Sequence, residues 1–180
     1  MPWPVTASEI VYANRWITVE DQQVVMPDGS AGQYGLVTMA NDAVFVVALT
    51  DADEILLVDI DRHTVGRSLE VPAGGTDGDD PLHAAQRELA EETGYTASEW
   101  LRLGGMDALN GVCRAPEHVY LARGLTAERD ATHDQHEEGI AGVRAIPIPQ
   151  VLELVRTGGI RDGETLAALL FALIELGRVS

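Results

Sequence analysis

The run Arg87-Glu88-Leu89-Ala90-Glu91-Glu92-Thr93-Gly94-Tyr95, with Pro72-Ala73-Gly74-Gly75 ahead of it, concentrates the chemistry of this 180-residue chain. At about 100° per residue, Glu88 and Glu92 stand one above the other on a helix, with Glu91 on the adjoining stripe. Like charges at these spacings repel, so packing gives no reason for the cluster. A bound divalent cation would remove the repulsion. Three carboxylates, water and a phosphate oxygen suit Mg²⁺ or Mn²⁺, hard ions that often share coordination with a substrate phosphate. Zinc suits less well. Cys113 is the single cysteine, and His63, His83, His118, His133 and His136 have no ligand spacing. Judged on carboxylate spacing alone, a solvated acidic helix face fits equally well.

The elements that must position these groups are legible. Asp80 stands at the N-cap position and Pro81 at the first helical position. Gly94 supplies the stop. The helix therefore spans about 81–93. Leu82, Ala85 and Leu89 give it an apolar face. Side chains lean toward the helix N-terminus, so the carboxylates point back at the glycine-rich loop. Arg87 is placed to orient a glutamate or to neutralise Asp79.

These residues resemble the signature of the Nudix hydrolases, G-x5-E-x7-R-E-U-x-E-E-x-G-U, where U is bulky and apolar. Arg87, Glu88, Leu89, Glu91, Glu92, Gly94 and Tyr95 fit every fixed position of its second half. The first half departs. Asp79 stands where the family has glutamate, and Gly74 precedes it by one residue too few, which places a deletion within Gly75–Gly78. That acid usually braces the loop against the helix, and Asp79 is one methylene shorter. Further segments resemble the ADP-ribose pyrophosphatase branch: Asn14–Val19, Gln33-Tyr34-Gly35, Glu70–Gly74 and Gly159–Asp162.

The resemblance implies an α/β/α sandwich with a mixed sheet and an amino-terminal β extension. It implies one domain over residues 1–180, with strands in 1–40 that pair two subunits and a core over 41–180. It also implies hydrolysis of a nucleoside diphosphate linked to another group X, dependent on Mg²⁺ or Mn²⁺. Glu88 and Glu92 would be metal ligands, Glu91 a further ligand or the holder of a water, and the Ala73 carbonyl another ligand. Arg87 and Asp79 would be supports. The general base would come from a late loop, where Glu138 or Glu137 stands. Trp16 and Tyr34 are candidates to stack on a base, or are packed aromatics of the amino-terminal sheet. A proline marker of ADP-ribose enzymes is replaced by Leu109-Asn110-Gly111-Val112, which leaves the substrate open among ADP-ribose, other nucleotide sugars, nucleoside triphosphates and coenzyme A. A ligand-binding module with little catalysis is the alternative from another class.

Composition sets the bounds. A chain with 46% hydrophobic residues can bury one core. A net charge of −17 argues against nucleic acid and anionic membranes as partners. The same charge would repel a pyrophosphate unless arginines make the site locally positive, and Arg62, Arg67, Arg87 and Arg114 are the candidates. No apolar stretch is long enough to span a bilayer, and Met-Pro-Trp-Pro lacks the features of a signal peptide. A cytoplasmic placement follows. Cys113 reads as a small buried residue or a mildly activated thiol beside Arg114. Strands are predicted at 16–19, 23–26, 43–49, 55–60, 67–71, 101–106, 118–122 and 143–148, with an acidic loop over 124–138. Helices are predicted at 150–156 and from Asp162 to about Leu176. The last helix is apolar nearly all round, which predicts cover on several sides.

Overall fold

The computed structural model describes residues 2–128 and 131–179, the Glu137 side chain excepted. Its strands are β1 Val5–Ala13, β2 Ile17–Val25, β3 Ala31–Met39, β4 Ala43–Leu49, β5 Glu54–Arg62, β6 Gly66–Glu70, β7 Ala73–Gly75, β8 Tyr95–Asp107, β9 Cys113–Arg114, β10 Pro116–Ala127 and β11 Ile140–Pro147. Its helices are α1 Pro81–Thr93, α2 Thr132–Glu137, α3 Ile148–Thr157 and α4 Gly163–Glu175.

The amino-terminal strands form a sheet in the order β1-β2-β3-β9. The Pro27–Ser30 turn reverses the chain between β2 and β3, with Asp28 Oδ1 accepting the Ser30 N–H at 2.9 Å. The two short strands predicted at 16–19 and 23–26 are one strand. Cross-strand bonds satisfy the polar residues between them: Gln33 Nε2 donates to Asp21, and the Ser8 hydroxyl to Glu20.

The second sheet runs β11-β5-β4-β10-β8, with β6 on β5 and β7 on β4. The β4–β10 pair is parallel and the others antiparallel, so the sheet is mixed. The edge of strand β4 away from β10 is shared between two partners. Ala48 and Leu49 pair with β5, whereas Ala43–Phe45 pair with β7. Strand β7 thus enters at the split and leads straight into the loop before α1.

Alternation along the strands sends side chains to two faces. Val44, Val46 and Ala48 of β4 meet Ala84, Ala85 and Leu89 of α1. Val47 and Leu49 point the other way, into a core with Val151 of α3 and Leu169, Ala172 and Leu173 of α4. The result is a helix–sheet–helix sandwich with an amino-terminal β extension. Leu89 is fully buried, a transfer worth about 2–3 kcal/mol.

Three elements differ from expectation. Strand β8 is 13 residues long because it follows β10 along its whole length, absorbing a bulge between Val119 and Tyr120. The acidic loop is shorter than predicted, since β10 continues to Ala127 and α2 forms after it. Helix α4 is covered on one face within the chain. Leu170 and Ile174 are 53% and 59% exposed, against the predicted cover on several sides. Among the described residues no helix is long and apolar enough to cross a membrane.

Candidate active site

The loop before α1 closes by a tight turn. The Asp79 N–H donates to the Thr76 carbonyl at 2.9 Å, and Asp77 and Gly78 take φ of 51° and 87°. Positive φ at both central residues defines a type I′ turn, for which Asp-Gly is a preferred pair. This is how a loop one residue short still reaches the helix. Asp80 then caps α1, its Oδ1 accepting the Leu82 N–H at 2.9 Å. Gly94 ends α1 in the left-handed conformation, its N–H on the Ala90 carbonyl at 3.0 Å.

Glu88 and Glu92 are buried under this loop at 4% and 2% exposure. Glu88, Glu91 and Glu138 each offer a carboxylate oxygen, all within 4.8 Å of one another. Glu92 stands apart from that trio and accepts the Ala73 N–H at 3.0 Å. Burial pushes the Glu88 carboxyl up to about 7, Arg87 opposes the shift, and the charges of Glu138 and Glu91 add to it. Burial likewise raises Glu92 well above the usual range, against the pull of the Ala73 N–H. Crowded, desolvated, oxygen-only donors are the environment that a hard divalent cation relieves.

Gly74 is fitted to Glu88. An added Cβ would lie 2.5 Å from Glu88 Oε2 and closer still to Cδ. Gly74 therefore fills the place of the motif's first glycine, which puts the deletion after it. Arg87 spans loop and helix. It donates to the Gly75 carbonyl at 2.8 Å and pairs with Glu88 at 2.8 Å and Glu91 at 3.2 Å. The loop acid beside Arg87 is Asp77, at 3.6 Å, and not Asp79. Asp77 also accepts from Asn41 at 3.1 Å. The tight turn is the cause, since it brings its first central residue up to Arg87.

Glu138 arrives from the other side. Gln135 Nε2 donates to the Glu92 carbonyl at 2.9 Å, and the Glu128 N–H to the Gly94 carbonyl at 3.1 Å. The Asp61 N–H donates to the Gly139 carbonyl at 3.0 Å. These bonds fasten the chain on both sides of Glu138 to the end of α1 and to β5. The Glu137 side chain lies outside the described residues, so only Glu138 can be placed.

Comparison with known proteins fits this geometry. The NUDIX domain family matches residues 39–169. The chain belongs to the NUDIX family. The family described as nucleoside diphosphate sugar hydrolase N-terminal domain matches residues 3–37. An ADP-ribose pyrophosphatase of Mycobacterium tuberculosis (strain ATCC 25618 / H37Rv) is 35% identical, over 91% of this chain and 80% of that protein. An ADP-ribose pyrophosphatase of Bacillus subtilis (strain 168) is 29% identical, over 94% of this chain and 91% of that protein. A crystal structure of an ADP compounds hydrolase superposes with a TM-score of 0.84 at 22% identity, covering 99% of this chain and 98% of the other, and shares the fold. This Nudix hydrolase sits in the ADP-ribose pyrophosphatase-like branch.

The remaining predicted residues separate. Arg62 lies by the Nudix box: it pairs with buried Glu70 at 2.6 Å, and the charges of Glu92 and Asp162 help to hold its proton. Arg67 does not face the box. It is clamped by Asp59 at 2.6 and 2.8 Å and lines a separate hollow with Asp61 and Ala141. Alternation puts it on the face of β6 opposite Glu70. The Tyr34 hydroxyl donates to the Gly111 carbonyl, and its ring meets Trp3 edge-on at 5.8 Å. Tyr34 thereby ties the amino-terminal sheet to the Asn110-Gly111 turn. Trp16 is 58% exposed and stacks under Arg15 at 4.0 Å. Arg114 lines a hollow with Trp3 and Tyr34, away from the glutamates. Burial, then Glu117, raises the Cys113 thiol, which rules against an activated thiolate.

Sequence reasoning missed Glu117. It is buried in β10, and its Oε2 has no hydrogen-bond partner among the described residues. Two residues before the apolar run Val119–Ala122, such an acid reads as solvent-facing, and no spacing rule singles it out.

Proposed function

We propose that this Nudix hydrolase is a divalent-metal-dependent pyrophosphohydrolase of ADP-ribose or a related nucleotide sugar, releasing a nucleoside monophosphate and a phosphorylated sugar. The observation that carries the reading is the convergence of Glu88, Glu91 and Glu138 within 4.8 Å, on a helix and a loop far apart in sequence. When bound, Mg²⁺ or Mn²⁺ supplies Lewis-acid polarisation of the diphosphate and eases ionisation of water. Glu88, Glu91, Glu92 and the Ala73 carbonyl are the groups that would hold the ion. Glu92 can serve while bonded to the Ala73 N–H, because a carboxylate has about four acceptor sites.

The chain's own groups supply the rest. Arg87 keeps Glu88 and Glu91 in register with the loop. Arg62 offsets phosphate charge in a protein of net charge −17. Glu138, the exposed member of the trio, accepts the proton of the attacking water as the bridging P–O bond breaks. Glu138→Gln tests this role: kcat should fall about 10²–10⁴-fold with Mg²⁺ affinity retained. Normal kcat in that variant would contradict it.

The same reading includes a single domain over 1–180 and a homodimer through residues 1–40. Exposed Ile10, Val11 and Tyr12 on β1 support a partner there. The single cysteine fits a reducing, cytoplasmic setting.

A further inference from the structure

Between β6 and β7 the chain crosses from one strand of the sheet to another. Glu70 is still paired with Val58 of β5, and Ala73 is already paired with Phe45 of β4. Val71 and Pro72, between them, lie in neither ladder. A backbone N–H buried outside a ladder needs another acceptor. The Val71 N–H finds one in the Thr165 hydroxyl, at 3.2 Å and 94 residues along the chain. Pro72 has no N–H to offer, and its carbonyl accepts the Val46 N–H at 2.9 Å. Strand β4 therefore holds Pro72, and α4 holds Val71.

Thr165 is 1% exposed, and Val71 is equally buried. Valine would fill the same volume as threonine, and a hydroxyl buried among apolar groups is unfavourable unless bonded. The hydroxyl does not cap its own helix. Asp162 does that, its Oδ2 accepting the Thr165 N–H at 2.7 Å. The hydroxyl serves the segment that delivers the Nudix loop. Two residues on from Val71, the Ala73 N–H donates to Glu92 at 3.0 Å, and the Ala73 carbonyl is one of the groups that would hold the cation. The first turn of α4 stands close to the site in other respects. Glu70 chiefly holds the proton of Arg62, and the charge of Asp162 adds to it. Burial first, then the charges of Glu164, Asp162 and Asp107, push the Glu117 carboxyl up to about 7.

We propose that Thr165 is a positioning residue for the metal site: by holding the Val71 N–H, its hydroxyl fixes where the Ala73 carbonyl stands relative to Glu92. One proline of fixed φ separates Val71 from Ala73, so little in between absorbs a shift. Helix α4 offers no ligand of its own to the ion and still contributes to its affinity. The inference rests on the metal-dependent reading above and adds to it a residue outside the Nudix box.

The test reads Mn²⁺ binding to the whole protein, without substrate, from the electron paramagnetic resonance of the free ion. Thr165→Val keeps the volume and removes the hydroxyl. It should raise the Mn²⁺ Kd about tenfold, as loss of a group that orients a metal ligand does. Thr165→Ser, which keeps the hydroxyl, should recover most of that loss. Leu173→Ala, about two turns further along α4, lowers stability by leaving a cavity and should leave the Kd unchanged. An unchanged Kd in Thr165→Val, or an equal rise in Leu173→Ala, overturns the role of Thr165 while leaving the hydrolase reading intact. Should Thr165→Val fail to fold, hydrogen exchange in the unaltered protein decides. Coupling is reciprocal, so saturating Mg²⁺ should slow exchange of the Val71 amide about tenfold, and no slowing overturns the role. Absence of Mn²⁺ binding by the unaltered protein removes both readings.

Discussion

In a Gly74→Ala variant, the new methyl would lie 2.5 Å from Glu88 Oε2. Ordinary contact begins near 3.4 Å, so that oxygen must retreat by about 0.9 Å (3.4 − 2.5), and Cδ by more. The backbone at residue 74 is held by its pairing with Val44 of β4. Gly74 has no positive φ, so alanine brings no backbone strain. The carboxylate end of Glu88 is what moves. Folding pays little for that, about 1 kcal/mol for an off-rotamer side chain. For a chain of this size that lowers Tm by about 2–4 °C. Catalysis is more sensitive, since a misplacement near 1 Å costs about 100-fold. The assay is kcat/KM on a nucleotide sugar with saturating Mg²⁺, beside a calorimetric Tm. Activity within twofold of the unaltered protein would refute the argument that Gly74 positions Glu88. So would unfolding at room temperature.

Two further outcomes follow from the charges. The folded-state pKa of Glu117, about 7, lies above the ordinary 4.5, so between those values the folded protein binds the extra proton. Stability contributed by this group is present below about pH 4.5 and is lost as pH rises through 7. Glu117→Gln should therefore match the unaltered protein near pH 4.5 and exceed it at pH 8 by about 1–2 kcal/mol, after allowance for solvent screening; calorimetry giving no pH-dependent gain would count against the buried, unpartnered carboxylate. Mg²⁺ at about 100 times its Kd should add about 2.7 kcal/mol, a rise in Tm of about 5–10 °C. Glu88→Gln should remove most of that rise, and an undiminished rise would place the ion elsewhere.

Local signals explain what the sequence discloses. Asp80, Pro81 and Gly94 are cap and stop residues whose effect is settled within a few neighbours, so the bounds of α1 at Pro81–Thr93 match the prediction. Asp162 as the cap of α4 is read for the same reason. The two apolar strands 43–49 and 55–60 are recognisable because both their faces are covered. What escapes is long-range. That Arg87 meets Asp77 and not Asp79 depends on a turn whose type follows from the deletion. That Arg67 turns away from the box depends on Asp59, eight residues upstream and on the neighbouring strand. Tyr34 reaches Gly111 across 77 residues. The place of Glu138 beside Glu88 and Glu91 comes from bonds to Glu92 and Gly94 that no local pattern encodes. Glu117 is hidden for a related reason: its burial is decided by β4, β8 and α4 closing around it, not by its own segment.

The central claim is that the carboxylates of the Nudix box cleave the diphosphate of a nucleotide sugar with the help of a divalent cation. Phosphorus NMR of ADP-ribose incubated with the protein and Mg²⁺ tests it most directly. The account predicts loss of the paired diphosphate signals and growth of two monophosphate signals, AMP and ribose phosphate. Both changes should stop on chelation or in Glu88→Gln. Persistence of the diphosphate signals for ADP-ribose and for a panel of nucleotide sugars, with Mg²⁺ or Mn²⁺ present, would contradict it.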